Sequence, residues 1–438
     1  MEMTSVAVGI ASVIAIVISI YSGAHIAIAL GLISFVGVWI LRNTDIAFSL
    51  LSLAIADSVS EETFATVPLF VMMGLVVSRA GFGRDIYDFA NELFRPVRGG
   101  LGMATVAANA IFASVTGSSI ASASVFAKVS IPEMLRFNYG RRFAVGIVAG
   151  SSVLGMIIPP SVMLIIYAVV TEQSVGAMFL AGIFPGLLLA LAYCLAVPVL
   201  CAIAPGFVGA GVAPGPHAEL ATLARDLFSK LGPVIVMVLV VLGGLYGGVL
   251  TPVEAGAGGT VTALILGALK RRLSVRAIWG ALVETGHITA NILFLIIAAS
   301  IYSRMLGIAG LPTLFGEWVA SLGLSFVSFM ALYVLVLLAL GTIIDTGSII
   351  LIAVPLFLHA LEPFNINLVW FGIVTVIGAE IGLLTPPFGI SCFVIRATIE
   401  DQSITLRDIF MGALPFAAVM LVVLVILIAF PQISLVLI

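Results

Sequence analysis

The stretch GMIIPPSVM, residues 155–163, decides how this chain is read. Pro159 and Pro160 remove two successive amide donors from an apolar run. A residue ahead of proline is also driven out of the α region, so a helix fails just upstream. Unpaired backbone in hydrocarbon costs several kcal/mol per group, so such a break lines protein or water and not lipid. The phrase returns as GLLTPPFGI at 382–390. Gly155 to Gly382 and Pro159 to Pro386 are both 227 positions apart (382 − 155 and 386 − 159).

The surroundings are apolar throughout. Of 438 residues, 62% are hydrophobic and 9% charged, and the mean hydropathy is +1.30. A soluble domain carries about a quarter charged residues. The chain therefore reads as an all-α polytopic membrane protein. A net charge of −3 without a basic tract gives no reason to expect a nucleic-acid partner. The start before SVAVGIASVIAIVISIYSG, MEMT, carries no basic residue and so lacks a basic n-region, and no cleavable signal is expected. Cys194, Cys201 and Cys392 lie in apolar segments without metal-ligand spacing and read as small hydrophobes.

Apolar runs of crossing length fall at 4–22, 25–41, 63–79, a broken one at 142–169, and 175–204. A polar stretch at 205–231 reads as a cytoplasmic linker. The pattern then restarts at 232–249, 252–269, 286–304, a broken run at 367–396, and 406–430. Residues 101–131 and 324–361 are different: small polar residues interrupt each midway, ASVTGSSIAS (113–122) and GTIIDTGSII (341–350). Their arms are too short to cross comfortably, so both read as re-entrant helical hairpins. With an outside N-terminus and non-crossing hairpins, one face collects Arg79, Arg84, Arg95, Arg98, Arg136, Arg141, Arg142, Arg225, Lys230, Lys270, Arg271, Arg272 and Arg276. The positive-inside rule makes that face cytoplasmic. Segments 84–94 and 314–322 read as amphipathic, with stripes Ile86, Phe89, Leu93, Phe94 and Leu314, Phe315, Trp318, Val319, Leu322.

The two proline pairs belong to a longer correspondence. LFVMMGLVVSRAG (69–81) resembles LFLIIAASIYSRMLG (293–307), TGS at 116–118 returns at 346–348, and GIV at 146–148 returns at 372–374. The expected architecture is therefore an inverted repeat, 1–204 and 232–438, each of about five spans plus one hairpin. Five is odd, so the second copy enters upside down and the hairpins open from opposite sides. Broken helices meeting near the midplane are where secondary transporters hold substrate and coupling ions.

Sodium accepts several oxygen ligands, which freed carbonyls and hydroxyls supply. The first break offers Ser114, Thr116, Gly117, Ser118 and Ser119 at the hairpin tip, then Gly150, Ser151, Ser152, Gly155 and Ser161. The second offers Thr342, Asp345, Thr346, Gly347 and Ser348, then Gly378, Gly382, Thr385 and Gly389. Half-helix N-termini facing inward favour an anionic group on the passenger. Ser151, Ser152, Ser161 and Gly389 are the candidates for contacting it. Asp345 and Glu380 are intramembrane carboxylates, costly unless paired or wet. Asp345, beside TGS, points to cation coordination or shaping of the tip; proton holding, pairing with Arg396 and bracing of the break all remain open for Glu380. Glu254, Glu284 and His287 fall near span ends. No nucleophile is paired with a base in the pattern an enzyme requires.

The run GSSIASASVFAKVSIPEMLRFNYGRRFAVGIVAGSSVLGMIIPPS (117–161), with YGGVLTPVEAGAGG (246–259) and GLLTPPFGISCFVIR (382–396), resembles the large membrane subunit of TRAP transporters, the DctM/SiaM-like permease family. The resemblance covers nearly the whole chain. It implies a fold of the ion-transporter superfamily and sodium-driven symport of an organic acid by an elevator motion in a bacterial inner membrane. It also implies a periplasmic, DctP-like binding protein and a small four-helix, DctQ-like subunit, which this chain does not include. By resemblance two or more sodium ions sit at the tips and facing breaks, here Ser118, Ser119, Gly155, Pro159, Asp345, Thr346, Ser348, Thr385 and Pro386. A stand-alone sodium/dicarboxylate carrier and a re-entrant-loop channel are the rival readings.

Overall fold

A computed structural model describes residues 2–209, 220–387 and 389–438. The described residues are helical and carry no strand, only one isolated bridge between Tyr139 and Gly209. Three helices lead the first half: α1 (Glu2–Tyr21), α2 (Ile26–Leu41) and α3 (Thr44–Ser60), the last started by the Asn43 side chain accepting from the Ile46 amide. After a 3₁₀ turn come α4 (Thr66–Arg79) and α5 (Phe82–Phe94), joined through left-handed Gly81. A hairpin of α6 (Gly100–Thr116) and α7 (Ser119–Arg136) follows. Then come a broken helix, α8 (Arg141–Ser152), α9 (Leu154–Ile157) and α10 (Val162–Val170), and the long α11 (Val175–Ile203).

The second half repeats this order with one helix fewer ahead of its hairpin. Helix α12 covers 220–246 with two π-helical turns, followed by α13 (Pro252–Leu269) and α14 (Val275–Ala309). Left-handed Gly310 turns the chain into α15 (Leu311–Ser321). The hairpin α16 (Phe326–Gly341) and α17 (Thr346–Leu361), the broken helix α18 (Leu368–Leu383) and α19 (Ile390–Thr398), and α20 (Leu406–Ala429) complete it. Among the described residues, seven helices are long and apolar enough to cross a bilayer. The pair 141–157 and 162–170, bent by 44°, makes an eighth.

Two elements differ from hydropathy alone. Helix α3 is missing from the expected spans because Asp45, Asp57 and its serines dilute the apolar run. Helix α12 begins at 220, twelve residues before the expected span at 232 (232 − 220). Lys230 donates to Asp226 at 2.7 Å, and that i,i+4 pair lets polar sequence continue the helix. Of the rest of the expected linker, Pro205–Val208 forms a short helix and 210–219 lies outside the described residues.

The basic loops do gather. Lys270 reaches Asp85 at 2.7 Å and the Ser229 carbonyl at 2.9 Å, Arg272 reaches Asp85 at 2.8 Å, and Arg79 meets Glu284 at 2.6 Å. Asp85 rotates the buried face of α5 to Phe82, Ile86 and Ala90, so Leu93 of the expected stripe is exposed. On α15, Val319 is buried, whereas Leu314, Trp318 and Leu322 face outward.

The halves are laced together crosswise. Helix α8 packs on α20 and α18 on α11, while α10 lies against α17 and α19 against α7. At the α8–α20 crossing a Cβ on Gly146 would collide with the Gly412 carbonyl, so the backbones touch directly. Alanine at Gly146 would favour an isolated helix. In this crossing Gly146→Ala should instead lower stability by about 1–3 kcal/mol through overpacking. Chemical unfolding in detergent reads the sign, and a stabilised variant would refute the contact.

Candidate functional site: two hairpin tips against two helix breaks

Helix α6 ends at Thr116 because Gly117 turns left-handed (φ 59°), a conformation that side chains resist. The tip is two residues long, since Ser118 then caps α7 by accepting from the Ala121 amide at 3.3 Å. This tip lies on the first break, backbone to backbone. A Cβ at Gly117 would collide with the Pro160 carbonyl, and one at Gly155 would come within 2.8 Å of the Ser118 carbonyl oxygen. In the break Ile158 and Ser161 are extended and the Pro159–Pro160 peptide is cis. The Ser161 hydroxyl donates to the Met156 carbonyl at 2.6 Å and caps α10, so it fills a carbonyl that the break frees. Residues 151–161 are all buried.

The second tip spans residues 342–345. Asp345 caps α17: its Oδ2 accepts from the Ser348 amide at 3.1 Å and its Oδ1 from the Ser348 hydroxyl. Thr346 donates to Glu380 Oε1 at 2.7 Å, tying the tip to α18. Glu380 is fully buried, and its Oε2 has no hydrogen-bond partner. Gly341 and Gly382 touch through their backbones. Thr385 donates to the Gly382 carbonyl at 2.6 Å, and the Pro386–Pro387 peptide is cis. Pro386 is exposed, unlike Pro159, and Gly389 is buried at the start of α19.

A hydrogen bond with the same spacing braces each unit. Asn109 Nδ2 on α6 donates to Ser151 Oγ on α8 at 2.8 Å, and Ser151 in turn donates to the Ile147 carbonyl. On the other side Thr375 of α18 donates to the Phe371 carbonyl, so the Tyr333 hydroxyl of α16, 2.8 Å away, donates to Thr375. Both pairs are shifted by 224 positions (333 − 109 and 375 − 151). Asn109, Tyr333 and Thr375 were not among the expected site residues; a polar residue standing alone in an apolar helix was the available signal.

The expected residues thus form two clusters, 117–119 with 155–161 and 341–348 with 380–385. They approach each other where α10 lies on α17, with Met163 beside Gly347. Several hydroxyls are engaged locally: Ser114 donates to Ile111, Thr116 to Phe112 and Ser152 to Ala149, each to a main-chain carbonyl. Ser151, Ser152 and Ser161 are completely enclosed. What faces the junctions is mainly backbone, together with the Asp345 and Glu380 carboxylates. Such an oxygen set suits a hard monovalent cation. Among the described residues no three His, Cys, Asp or Glu side chains gather as a transition-metal site would require. Glu254 closes a capping box with Thr251, and Glu284 pairs with Arg79.

Comparison with known proteins agrees with this architecture. The family described as tripartite ATP-independent periplasmic transporter, DctM component, matches residues 13–433. The C4-dicarboxylate TRAP transporter large permease protein DctM of Pseudomonas aeruginosa is 33% identical over 387 residues, covering 88% of each chain. The sialic acid TRAP transporter large permease protein SiaM of Vibrio cholerae is 31% identical, covering 86% of each. Among solved structures, the YdaH transporter of Alcanivorax borkumensis superposes with a TM-score of 0.65 over 90% of each chain at 14% identity, a likeness of fold.

Thr346→Val would leave neither Glu380 oxygen partnered. It should destabilise the protein by about 1–3 kcal/mol, as an unsatisfied buried acceptor does, while Thr346→Ser should stay near wild type. Unfolding curves of the three proteins decide it, and equal stability of valine and serine variants would remove the Thr346–Glu380 tie.

Proposed function

Because the chain belongs to the DctM component family of tripartite ATP-independent periplasmic transporters, we propose that it is the large permease of such a system, taking up an organic acid of the C4-dicarboxylate or sialic-acid type down a sodium gradient. The protein is a multi-pass membrane protein and not an enzyme. The observation that carries the proposal is the matched pair of junctions, each a hairpin tip seated on a broken helix and braced by an equivalent polar pair. Repetition of the element order from α4 and α14 onward supports a repeat, whose second copy we read as inverted. One tip then opens from each side of a bacterial inner membrane, with the N-terminus periplasmic.

On this reading the two hairpins and two broken helices move as one body. Helices α1–α4 and α12–α14 form the support they slide along. Two or more sodium ions enter at Ser114, Thr116, Gly117, Ser118, Ser119, Gly155 and Pro159 and at Asp345, Thr346, Gly347, Ser348, Gly382, Thr385 and Pro386, chiefly through main-chain oxygens. Their charge offsets carbonyl dipoles and carboxylates before the body moves, so that crossing depends on loading. A soluble periplasmic protein delivers the acid, and a small membrane subunit packs against the support.

Uptake into proteoliposomes, with the binding protein and small subunit added, tests this directly. Replacing external sodium with choline should abolish uptake. Ser118→Ala and Asp345→Ala should each raise the half-saturating sodium concentration about tenfold, the scale of one lost charged or polar ligand. Sodium-independent uptake, or unchanged sodium dependence in both variants, would sink the coupling. Full uptake by this chain alone would point to a stand-alone carrier.

A further inference from the structure

Helix α5 stands between the two bodies of the proposed mechanism and touches both. Its contact with the first hairpin is close at both ends. A Cβ on Gly83 would lie 2.6 Å from the Val125 side chain of α7, and one on Gly100 would collide with the Phe94 carbonyl. Toward the support α5 presents Asp85, which is 7% exposed. Lys270 and Arg272, in the turn between α13 and α14, both donate to its Oδ2, at 2.7 and 2.8 Å. Lys270 also donates to the Ser229 carbonyl of α12 at 2.9 Å and lies 5.4 Å from the Phe82 ring centroid. Between the two cations Arg271 takes φ 54°, a left-handed backbone that usually falls to glycine or asparagine after a helix. Strain of that kind persists where the surroundings hold it. Here the turn brings residues 270 and 272 to one oxygen.

Gly81, left-handed at φ 74°, joins α4 of the support to α5. A glycine changes backbone region at little steric cost, so the chain can bend there. The ion cluster lies one helical turn beyond that joint and spans it. The second half has the joint without the cluster: left-handed Gly310 leads into α15, whose Gly316 packs against the His359 backbone of α17. Glu317, the one charged residue of α15, meets no cation among the described residues. From this we infer that Asp85 is a positioning residue. With Lys270 and Arg272 it latches the lead helix of the first hairpin to the support, and the latch favours the arrangement in the structure over one in which the hairpin has moved. The inference rests on the moving-body reading and adds to it the contact that must part. Both cations keep some access to water, Arg272 more than Lys270, so parting leaves them solvated. The unequal halves then give unequal end states, one fastened and one free.

Spin labels on the exposed positions Leu93 of α5 and Ile265 of α13 read the latch in the full chain, held in lipid nanodiscs. Cys194, Cys201 and Cys392 are first replaced by alanine so that only the two labels report. Pulsed electron-resonance distances should show one dominant separation in sodium-free buffer. Asp85→Asn should raise the population of a second separation about tenfold, as expected for a lost charge-assisted hydrogen bond. Arg272→Gln should raise it less, since Lys270 remains, and Asp85→Glu should restore the original ratio. Melting temperature is measured alongside, because an ion pair that serves only the fold would lower it and leave the separations alone. That outcome in both Asp85→Asn and Arg272→Gln, or equal ratios in all four proteins, would overturn the latch. A second separation that responds to added sodium but ignores both variants removes the latch alone. A single separation in every variant, with and without sodium, removes the moving-body reading as well.

Discussion

A main-chain amide or carbonyl cannot be left unpaired in hydrocarbon, and the structure is organised around that constraint. Helices that stop midway at Pro159–Pro160 and Pro386–Pro387 leave donors and acceptors bare. Enclosure by protein and contact with water are the remaining solutions, and the two breaks differ: Pro159 and Pro160 are buried, Pro386 and Pro387 exposed. The first break is wholly enclosed, and Ser161 takes up one freed carbonyl. A hairpin tip covers it so closely that Gly117 and Gly155 have no room for a Cβ. The second tip reaches the equivalent place with a longer turn, which Asp345 holds by capping α17. The crosswise packing of α10 on α17 and α19 on α7 then follows, since each half-helix beyond a break needs a neighbour and the opposite hairpin supplies it.

Much of this was legible in the chain. Proline doublets 227 positions apart, returning TGS triplets and polar interruptions of two apolar runs locate both breaks and both hairpins, because these are signals of local chemistry. One arm, Thr346–Phe364 with its 3₁₀ turn, is nevertheless long enough to cross. Boundaries that depend on partners were harder. Asp45 and Asp57 hid α3 from a hydropathy reading, and the Lys230–Asp226 pair extended α12 backwards into polar sequence. On α5 only Leu93 of the expected stripe faces outward, and the buried residue that the pattern did not mark is Asp85, met by Lys270 and Arg272 from almost two hundred positions away.

The site shows the same division. Residue type marked Asp345 and Glu380 as unusual, but only geometry separates them. One carboxylate spends both oxygens on its own helix start; the other bridges to the opposite element and keeps one oxygen bare. The Asn109–Ser151 and Tyr333–Thr375 braces are invisible as a repeat in sequence, since an amide stands where the other half has a phenol. They correspond in position and hydrogen-bond role, not in letter. In both, the donor stands on the hairpin arm and the acceptor on the breaking helix, and either an amide or a phenol fills the donor's place.

Exposure assigns the polar devices of this protein to different tasks. The Thr346–Glu380 bond is sealed from solvent, so breaking it exposes nothing to water that could compensate, and it holds tip and break as one unit. The Arg304–Asp57 pair lies in an open cavity, where water replaces either partner at little cost. The two bonds therefore differ in durability by where they lie: the enclosed one fixes a hairpin tip to α18, and the open one between α3 and α14 exchanges freely with solvent.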